Sequence, residues 1–487
     1  MKKLFILSFT SFLILFLSCT EKIGTNDAGL PPVSNETVEH VFKVFPTNSD
    51  DTENLRKAFA DAKAAGPGST VQLMFGKYYI RPIEVRDFDG YFQGYGRGIT
   101  ILYNLPDIQS DYFWNNNNVP YLMQFVGGNV SISDLTIQIK DGCPCDEQSP
   151  INRSKIGDLL AGILILADYS SDYISVDQHI KCIVNKVDFI AGNIKEGFNP
   201  YGISGNINMA IYCGSPVVTV SEDAKLSEGN ITISGCNFEQ NVTGIYIRGF
   251  NENSTIISTD NVFTGNVYQN FILSCLGSQI SISKNSFLDA VYSDIYIDDN
   301  DYGRYPDIEQ VKSTEYSISE NYFKCSPVLA SLYMTDNRRI LHPDEGFHQL
   351  LDIKANTFKI REGGAAIVGL NNVGSKIHDN FFNATGTLGA VILDGDKNTN
   401  TFSSDILIYG NTFENVLYTF ASVILGHYTT KCSVVCSATD KVIDYGLNNS
   451  VSGSKSPSAE SESPAVTYNF RYQNENIMKM DTYIIHF

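Results

Sequence analysis

The sequence is short of positive charge. Lys and Arg total 35 against 54 Asp and Glu, which gives a formal net charge of −19 over 487 residues. This balance argues against a nucleic-acid partner, because phosphate backbones are bound by clustered Lys and Arg. It is compatible with cations or with neutral or cationic ligands, whereas an anionic glycan would need a local basic patch.

Motifs that would identify a known chemistry are also missing. Gly94-Tyr-Gly-Arg-Gly98 superficially resembles a phosphate loop, but neither a Gly-Lys-Ser/Thr nor a helix follows it, so we predict a turn. The ten cysteines show no zinc-site spacing, although Cys432 and Cys436 are spaced for a loop disulfide in an oxidising compartment. Five cysteines fall on or beside predicted strands and are expected to be small core residues: Cys182, Cys213, Cys236, Cys275 and Cys325.

What the sequence has in abundance is one repeated pattern. A strand ends in Asn-x-Phe or a close variant, and a second apolar strand follows about eight residues later. Copies end at Phe189, Phe238, Phe263, Phe287, Phe323, Phe358, Phe382 and Phe413. The unit is about two dozen residues long, with insertions in some copies, and it shows a period of two without helical segments. Such strands cannot bury their inward faces alone, so the repeat predicts a β-solenoid.

A different pattern precedes the repeats. Asp50 and Glu53 are spaced as a capping box, an apolar face follows at Leu55, Ala58, Phe59 and Ala62, and Gly66-Pro67 ends the predicted helix. Asp-Asp-Thr-x-Asn-Leu at 50–55, Thr70-Val-Gln-Leu, Gly76-Lys-Tyr and Gly94-x-Gly96 before Thr100 resemble the N-terminal entry of the pectate-lyase superfamily.

The resemblance implies an all-β fold, a single-stranded right-handed parallel β-helix (solenoid) with an N-terminal capping helix at 52–65. It continues through the repeats to about residue 426, which is most of the chain. The superfamily includes lyases, glycoside hydrolases, epimerases, phage tailspikes and noncatalytic adhesins. The resemblance is therefore specific for the fold and not for a reaction.

The first residues are predicted to be a targeting segment. Lys2-Lys3 precede a largely apolar run at 4–17, which marks residues 1–18 as a signal peptide. Phe16-Leu17-Ser18-Cys19 resembles the bacterial lipobox, so Cys19 is predicted to carry a lipid and residues 19–40 to be a tether. We therefore expect a protein of the bacterial cell envelope, lipid-anchored in the outer membrane. Residues 41–440 are predicted to form the β-helix, and 441–487 a low-complexity segment with a C-terminal strand or cap.

The second strand of each unit offers a candidate binding face. Alternation predicts that residues such as Ile245, Ile247, Phe271, Leu273, Ile295 and Ile297 point inward. The residues between them then point outward, namely Tyr246, Ile272, Tyr296, Tyr333 and Ile392, with Tyr212 in the preceding copy. We predict that Tyr212, Tyr246, Tyr296 and Tyr333, with Arg248 and Asp394 just past their strands, bind substrate, because aromatic rings suit sugar faces. The alternative is that Tyr is simply a favoured strand residue.

Candidate catalytic residues follow the same strands. Two long insertions, at 299–316 and 335–350, belong to neighbouring units and are expected to lie side by side at one end of the face that carries these tyrosines. Asp298 or Asp299 with Asp336 would supply the two carboxylates of a glycoside hydrolase. For a lyase, the base and the groups that neutralise a uronate are sought among Arg304, Arg338 and His342, or in Ca²⁺ held by acidic residues. The alternative is that all of these are solvated turn residues.

Family motifs do not decide between these reactions. Of the Asn-Thr-Asp, Asp-Asp, Gly-His-Gly and Arg-Ile-Lys series of polygalacturonase-like enzymes, the repeats match only Asp298-Asp299, and the pectate-lyase motifs Trp-Ile-Asp-His and Arg-x-Pro-x-x-Arg are absent. We predict an envelope protein that acts on or binds a polysaccharide through one face of the solenoid, as a polysaccharide lyase or glycoside hydrolase. The alternative is a noncatalytic glycan-binding or adhesin-like protein. The expected partners are a polysaccharide and the membrane, without nucleic acid, and Ca²⁺ is expected only for a lyase.

Overall fold

The structure is a computed structural model, and it describes residues 40–105, 121–139, 159–166, 179–191, 207–214, 228–241, 243–250, 253–266, 268–273, 275, 277–290, 292–298, 313–325, 327, 329–336, 348–361, 364–385, 387, 389–416 and 421–453. The predicted fold, a right-handed parallel β-helix, is confirmed. Every ladder between named strands is parallel, and successive coils pair residue for residue along three long sheets.

Sheet 1 opens each coil. Its strands are β1 (Val41–Val44), β2 (Ser69–Leu73), the second half of β4 (Ile83–Gln93), the middle of β6 (Tyr121–Gln138), the first half of β8 (His179–Ile190), β10 (Glu228–Ser234), β13 (Thr255–Thr259), β16 (Gln279–Ser283), β19 (Thr314–Ser319), β22 (Gln349–Lys354), β25 (Lys376–His378), β29 (Leu407–Tyr409), β33 (Ser433–Val435) and β35 (Ser450–Ser452).

Sheet 2 follows after a tight turn. It contains β3 (Gly76–Ile80), β5 (Thr100–Asn104), the last residues of β6 and of β8, β11 (Asn237–Glu239), β14 (Val262–Thr264), β17 (Ser286–Leu288), β20 (Tyr322–Cys325), β23 (Thr357–Arg361), β26 (Phe381–Thr385) and β30 (Thr412–Glu414).

Sheet 3 completes the coil. It contains the first residues of β4 and of β6, then β7 (Leu159–Leu166), β9 (Ile207–Gly214), β12 (Thr243–Arg248), β15 (Tyr268–Leu273), β18 (Ser293–Asp298), β21 (Ala330–Thr335), β24 (Ala365–Leu370), β27 (Gly389–Asp394), β31 (Ala421–Leu425) and β34 (Val442–Asp444). A short extra ladder pairs β28 (Ser403–Ser404) with β32 (Thr429–Thr430). The described solenoid thus runs through β35, beyond residue 440.

The predicted cap helix is confirmed as α1 (Thr52–Ala65). Phe59 from its apolar face contacts the rings of Phe88 and Phe92 at 5.3 and 5.2 Å, so the helix covers the first coils of the core. The predicted capping box is wrong: Asp51 is the N-cap, and the Asp50 carboxylate accepts the Thr52 N–H at 3.0 Å instead. Among the described residues, no helix is long and apolar enough to cross a membrane.

The Asn-x-Phe repeat forms two columns inside the solenoid. The phenylalanine rings stack from Phe189 to Phe413, with centroids of neighbouring rings 4.5 to 5.1 Å apart. The asparagines form a ladder: Asn321, for example, accepts the backbone N–H of Asn285 at 2.9 Å and donates to the Ile282 carbonyl at 2.8 Å. The residue before each of these asparagines is left-handed, as at Lys284 with φ 57°, which turns the chain from sheet 1 into sheet 2. The repeat therefore encodes the turn and its hydrogen bonds together.

One predicted register is wrong. In β15, Phe271 aligns with Tyr246 and Tyr296, and Ile272 aligns with the core residues on either side. Asn270 therefore occupies an inward position and is fully buried. The shift by one residue arises because the turn preceding β15 is set by Asn266, whose side chain accepts the Asn241 N–H at 2.7 Å.

The cysteine predictions have mixed outcomes. Cys182, Cys213, Cys236 and Cys275 are buried free thiols, as predicted, and the Cys325 side chain lies outside the described set. The predicted disulfide between Cys432 and Cys436 is wrong, because both are free and flank the extended strand β33. Four residues of extended chain span about 13 Å, and a disulfide needs Cα atoms within about 7 Å.

Candidate functional site

The outer face of sheet 3 carries two parallel columns of side chains. The first contains Tyr212 stacked on Tyr246, with ring centroids 4.9 Å apart, and Tyr296 stacked on Tyr333 at 5.0 Å. Phe271 lies in register between the two pairs, so an aromatic residue occupies this position in five successive coils. The aromatic column predicted from the sequence is present.

These four tyrosines are nearly buried although they lie outside the apolar core. Their exposed fractions range from 2% for Tyr212 and Tyr296 to 9% for Tyr246, and none belongs to the contiguous core of the described residues. A face that points away from the core would be solvated if it were open. The tyrosine column is therefore enclosed and does not form an open, flat surface.

Tyr296 is the best-connected member of this column. Its ring contacts Tyr268 edge-on at 5.9 Å, and its hydroxyl donates to Oδ2 of Asp298 at 3.4 Å. Burial raises the pKa of Tyr296 well above its ordinary value, and the negative charge of Asp298 adds to the effect. Tyr296 is therefore a protonated donor at neutral pH and does not act as a phenolate.

The second column, two residues along each strand, carries the polar groups. Arg248, Leu273, Asp298 and Thr335 pair in succession, and Asp394 follows two coils later. Arg248, Asp298 and Asp394 are each less than a tenth exposed. Strands in such a sheet lie about 4.8 Å apart, so Arg248 and Asp298 are separated by about 10 Å of backbone.

Two of the predicted carboxylates hold turns. Asp336 follows Thr335 on the coil next to Asp298, and its Oδ2 accepts the Gln349 N–H at 3.1 Å. Oδ1 of Asp394 accepts the N–H groups of Gly395 at 2.8 Å and of Tyr428 at 2.9 Å. Asp298 is thus the carboxylate in direct contact with the tyrosine column, and a catalytic role for it and for Asp336 stays a prediction.

The remaining predicted catalytic residues lie outside the described part of the chain: Asp299, Arg304, Arg338 and His342. Cys19, the predicted lipidation site, also lies outside it. Within the described residues, no group of three or more His, Cys, Asp or Glu side chains is arranged to hold a metal ion. The expectation of Ca²⁺ for a lyase therefore stays a prediction.

A second surface was missed by the sequence reasoning. The outer face of sheet 1 forms a groove of about 750 Å³ across β13, β16, β19, β22, β25 and β29. At one end, Nε2 of His378 lies 2.9 Å from Oδ1 of Asp352, its Nδ1 lies 2.8 Å from Asp379, and its ring stacks on Tyr409 at 4.8 Å. Partial burial opposes ionisation of Asp352, but hydrogen bonds from Lys354 and His378 hold the pKa of this carboxyl below its ordinary value.

The signal for this cluster was present in the repeat. Lys354, His378 and Tyr409 each stand two residues before a ladder asparagine and pair directly in the structure. Aligning the copies on the asparagine would have placed the three in one column. The two surfaces differ in solvent exposure: Tyr409 on sheet 1 is 37% exposed, whereas the four tyrosines of the sheet 3 column are at most 9% exposed.

Comparison with known proteins does not assign this chain to a family. No protein-family model and no curated protein sequence matches the chain. Solved structures resemble it at low identity. The mannuronan C-5 epimerase AlgE6 A-module of Azotobacter vinelandii is 13% identical, with a TM-score of 0.45 over 84% of this chain and 96% of that one.

Two further structures resemble the chain to a similar degree. The DFA-IIIase of Arthrobacter chlorophenolicus A6 without its lid is 13% identical, with a TM-score of 0.43 over 82% of this chain and 94% of that one. A tailspike protein of E. coli bacteriophage HK620 in complex with a pentasaccharide is 13% identical, with a TM-score of 0.46 over 84% and 78%. These likenesses concern the fold alone and assign no activity to this chain.

Proposed function

We propose that this protein binds a polysaccharide along the outer face of sheet 3. The observation that carries the proposal is the enclosed column of stacked tyrosines beside Arg248 and Asp298. Aromatic faces and edges contact the apolar sides of sugar rings, and flanking charged groups hydrogen-bond their hydroxyls. Both kinds of contact recur along the solenoid, which suits a chain of repeating sugar units.

Tyr296 and Asp298 form the centre of the proposed site. The protonated phenol supplies a donor, and the carboxylate supplies acceptors for sugar hydroxyls. Because the surroundings are nearly closed to water, each hydrogen bond made there is stronger than on an open surface.

Cleavage of the bound polysaccharide is the second candidate function. It is favoured by the direct contact between a protonated phenol and a carboxylate at 3.4 Å, with a further carboxylate, Asp336, on the neighbouring coil. Such groups transfer protons in glycoside hydrolysis and in elimination from uronates. Reducing-end formation would identify a hydrolase, and absorbance of unsaturated uronate would identify a lyase.

The test uses binding and turnover together. We expect wild-type protein to bind at least one member of a panel of neutral and uronic-acid polysaccharides on an array. Asp298→Asn should then weaken binding by about tenfold or more, and Tyr296→Phe by about threefold to tenfold, since hydrogen bonds to charged groups contribute more. If cleavage occurs, Asp298→Asn should lower its rate by at least about a hundredfold.

Tyr409→Phe and Tyr409→Ala are the matched controls, because this tyrosine also stands in a stacked column but on sheet 1. Their binding should equal that of the wild type. Unchanged binding in both sheet 3 variants would overturn the proposal. A loss confined to the Tyr409 variants would move the ligand to the sheet 1 groove.

The proposal also places the protein in the bacterial cell envelope, held by a lipid on Cys19 in the outer membrane. The lipobox-like sequence ahead of a polar tether supports it. We expect Cys19→Ala to abolish incorporation of labelled palmitate, with Cys182→Ala as the control that retains it. Equal labelling of the wild type and the Cys19→Ala protein would contradict the anchor.

A further inference from the structure

The first coils expose an unusual set of large apolar side chains. Phe45, Phe75, Tyr95 and Ile99 are 62%, 64%, 58% and 52% exposed. All four lie where the chain passes from sheet 1 to sheet 2. Phe45 follows β1, Phe75 follows β2 and Tyr95 follows β4, while Ile99 lies just before β5. We call them the N-terminal aromatic corner.

The four residues lie on neighbouring turns of the first coils. The rings of Phe75 and Tyr95 are in contact, with centroids 6.4 Å apart. Backbone bonds join the neighbouring turns: the Met74 N–H donates to the Val44 carbonyl at 2.9 Å, and the Gly76 N–H donates to the Ile99 carbonyl at 2.9 Å. Phe45 follows Val44, and Phe75 lies between Met74 and Gly76. The exposed side chains therefore lie on adjacent coils.

The patch is confined to this end of the solenoid. Among the described residues, the most exposed large apolar side chain at the later turns from sheet 1 into sheet 2 is Val262, at 37%. Leaving four large apolar side chains in water is unfavourable, since burying each would be worth about 1.5–3 kcal/mol. A clustered patch of this kind therefore marks a contact surface.

Two cations flank the patch. Lys43 stands two residues before Phe45, and Lys77 stands two residues after Phe75; both are exposed. Neither makes an ion pair with any described residue, whereas Arg97 pairs with Asp188 at 3.3 Å. Aromatic rings beside free lysines suit the boundary of a lipid bilayer, where rings enter the interface and ammonium groups meet anionic headgroups.

We propose that the N-terminal aromatic corner docks on the surface of an anionic lipid bilayer. The chain before the described residues favours this occupant, because Cys19 precedes His40 by 21 residues. A segment of that length spans at most about 70 Å when fully extended, so a lipid on Cys19 can reach the first coils only within that distance.

Docking would also orient the proposed glycan site. The corner lies between sheets 1 and 2, and the tyrosine column lies on sheet 3, the remaining side of the solenoid. Contact of the corner with lipid therefore leaves the outer face of sheet 3 away from the membrane. Docking of the corner rests on the lipid anchor proposed for Cys19 and not on glycan binding, so it can be tested without a glycan.

The experiment uses residues 20–487, which lack the signal segment and Cys19 but retain the whole compact unit 39–487. Co-sedimentation is measured with extruded vesicles of phosphatidylcholine and phosphatidylglycerol in equal parts. We expect Phe75→Ser/Tyr95→Ser to lower the partition coefficient at least tenfold. Lys43→Gln should lower it about fivefold at low salt, and should change nothing on pure phosphatidylcholine.

The matched control is Val435→Ser/Leu447→Ser, which removes exposed apolar side chains from the other end of the solenoid. It should partition like the wild type, and far-ultraviolet circular dichroism should show the same fold for all variants because every change is on the surface. Absence of vesicle binding by the wild type, or equal partition of the aromatic variant, would overturn the proposal. A dimer in sedimentation velocity that the aromatic variant abolishes would do so too, since the corner would then join two copies of the chain.

Discussion

Replacing Asn321 with alanine is expected to lower the free energy of unfolding by about 3–5 kcal/mol. The side chain is buried in the middle of the asparagine ladder and bonds three neighbours: the Asn285 N–H, the Ile282 carbonyl and the Asn356 amide. Alanine leaves the Asn285 N–H buried without its acceptor, at a cost of about 1–3 kcal/mol, and removes the bonds to the Ile282 carbonyl and the Asn356 amide, worth about 0.5–1.5 kcal/mol each. Chemical denaturation followed by circular dichroism measures the loss.

The matched control for this change is Asn411→Ala. Asn411 accepts the Asn380 N–H at 2.9 Å and donates to the Ile377 carbonyl at 2.9 Å, but it is partly exposed. Water can satisfy the groups it leaves, so we expect a loss of about 1 kcal/mol. Hydrogen exchange adds a local readout: the Asn285 amide should lose its protection in the Asn321 variant and keep it in the control. Equal losses in the two variants would show that the ladder bonds are not the cause.

Replacing Asn270 with valine is expected to stabilise the protein, raising the free energy of unfolding by about 2–3 kcal/mol. Asn270 is fully buried between Ile245 and Ile295 in the core column. Neither atom of its amide has a hydrogen-bond partner among the described residues. Valine removes this penalty and adds apolar contact, and it is a size the column already accepts at Val391 and Val423.

Asn261→Val is the control for this second prediction. Asn261 is the same residue type at a similar burial, but its amide donates to the Ile233 carbonyl at 3.0 Å and accepts the Cys236 N–H at 2.9 Å. Valine at this position should destabilise the protein by several kcal/mol. Lower stability of the Asn270→Val protein would show that this amide is hydrogen-bonded in solution and that the column depends on it.

The ladder asparagines could be predicted from the repeat, whereas the inward position of Asn270 could not. Ladder asparagines recur before Phe at matched positions, so their role is visible in the sequence, and the stacked Phe column follows from the same alignment. Asn270 is different, because Tyr-Gln-Asn-Phe-Ile-Leu fits a strand in either register. The pairing of β15 with β12 and β18 in the folded chain places Asn270 inward.

The candidate site was predictable only in part. The tyrosine column on sheet 3 follows from strand alternation, and the structure contains it. Its enclosure does not follow from alternation, because the burial of an outward residue depends on chain that is distant in sequence. Strand alternation also does not predict hydrogen-bond partners, so the bond from the Tyr296 hydroxyl to Asp298 is seen only in the structure.

By itself the sequence determined the coil, the turn chemistry and the two inner columns, because each is encoded within one repeat of about two dozen residues. The cap helix precedes the repeats and is encoded by its own apolar face at Leu55, Ala58, Phe59 and Ala62. The tertiary structure alone decided which coils lie next to each other at which register. That stacking brings His378 to Asp352 across 26 residues and joins Phe75 to Tyr95 on one corner. Contacts between coils depend on register, and a shift of one residue exchanges the inner and outer faces of a strand. The enclosed tyrosine face, the sheet 1 groove and the N-terminal aromatic corner are therefore properties of the folded solenoid.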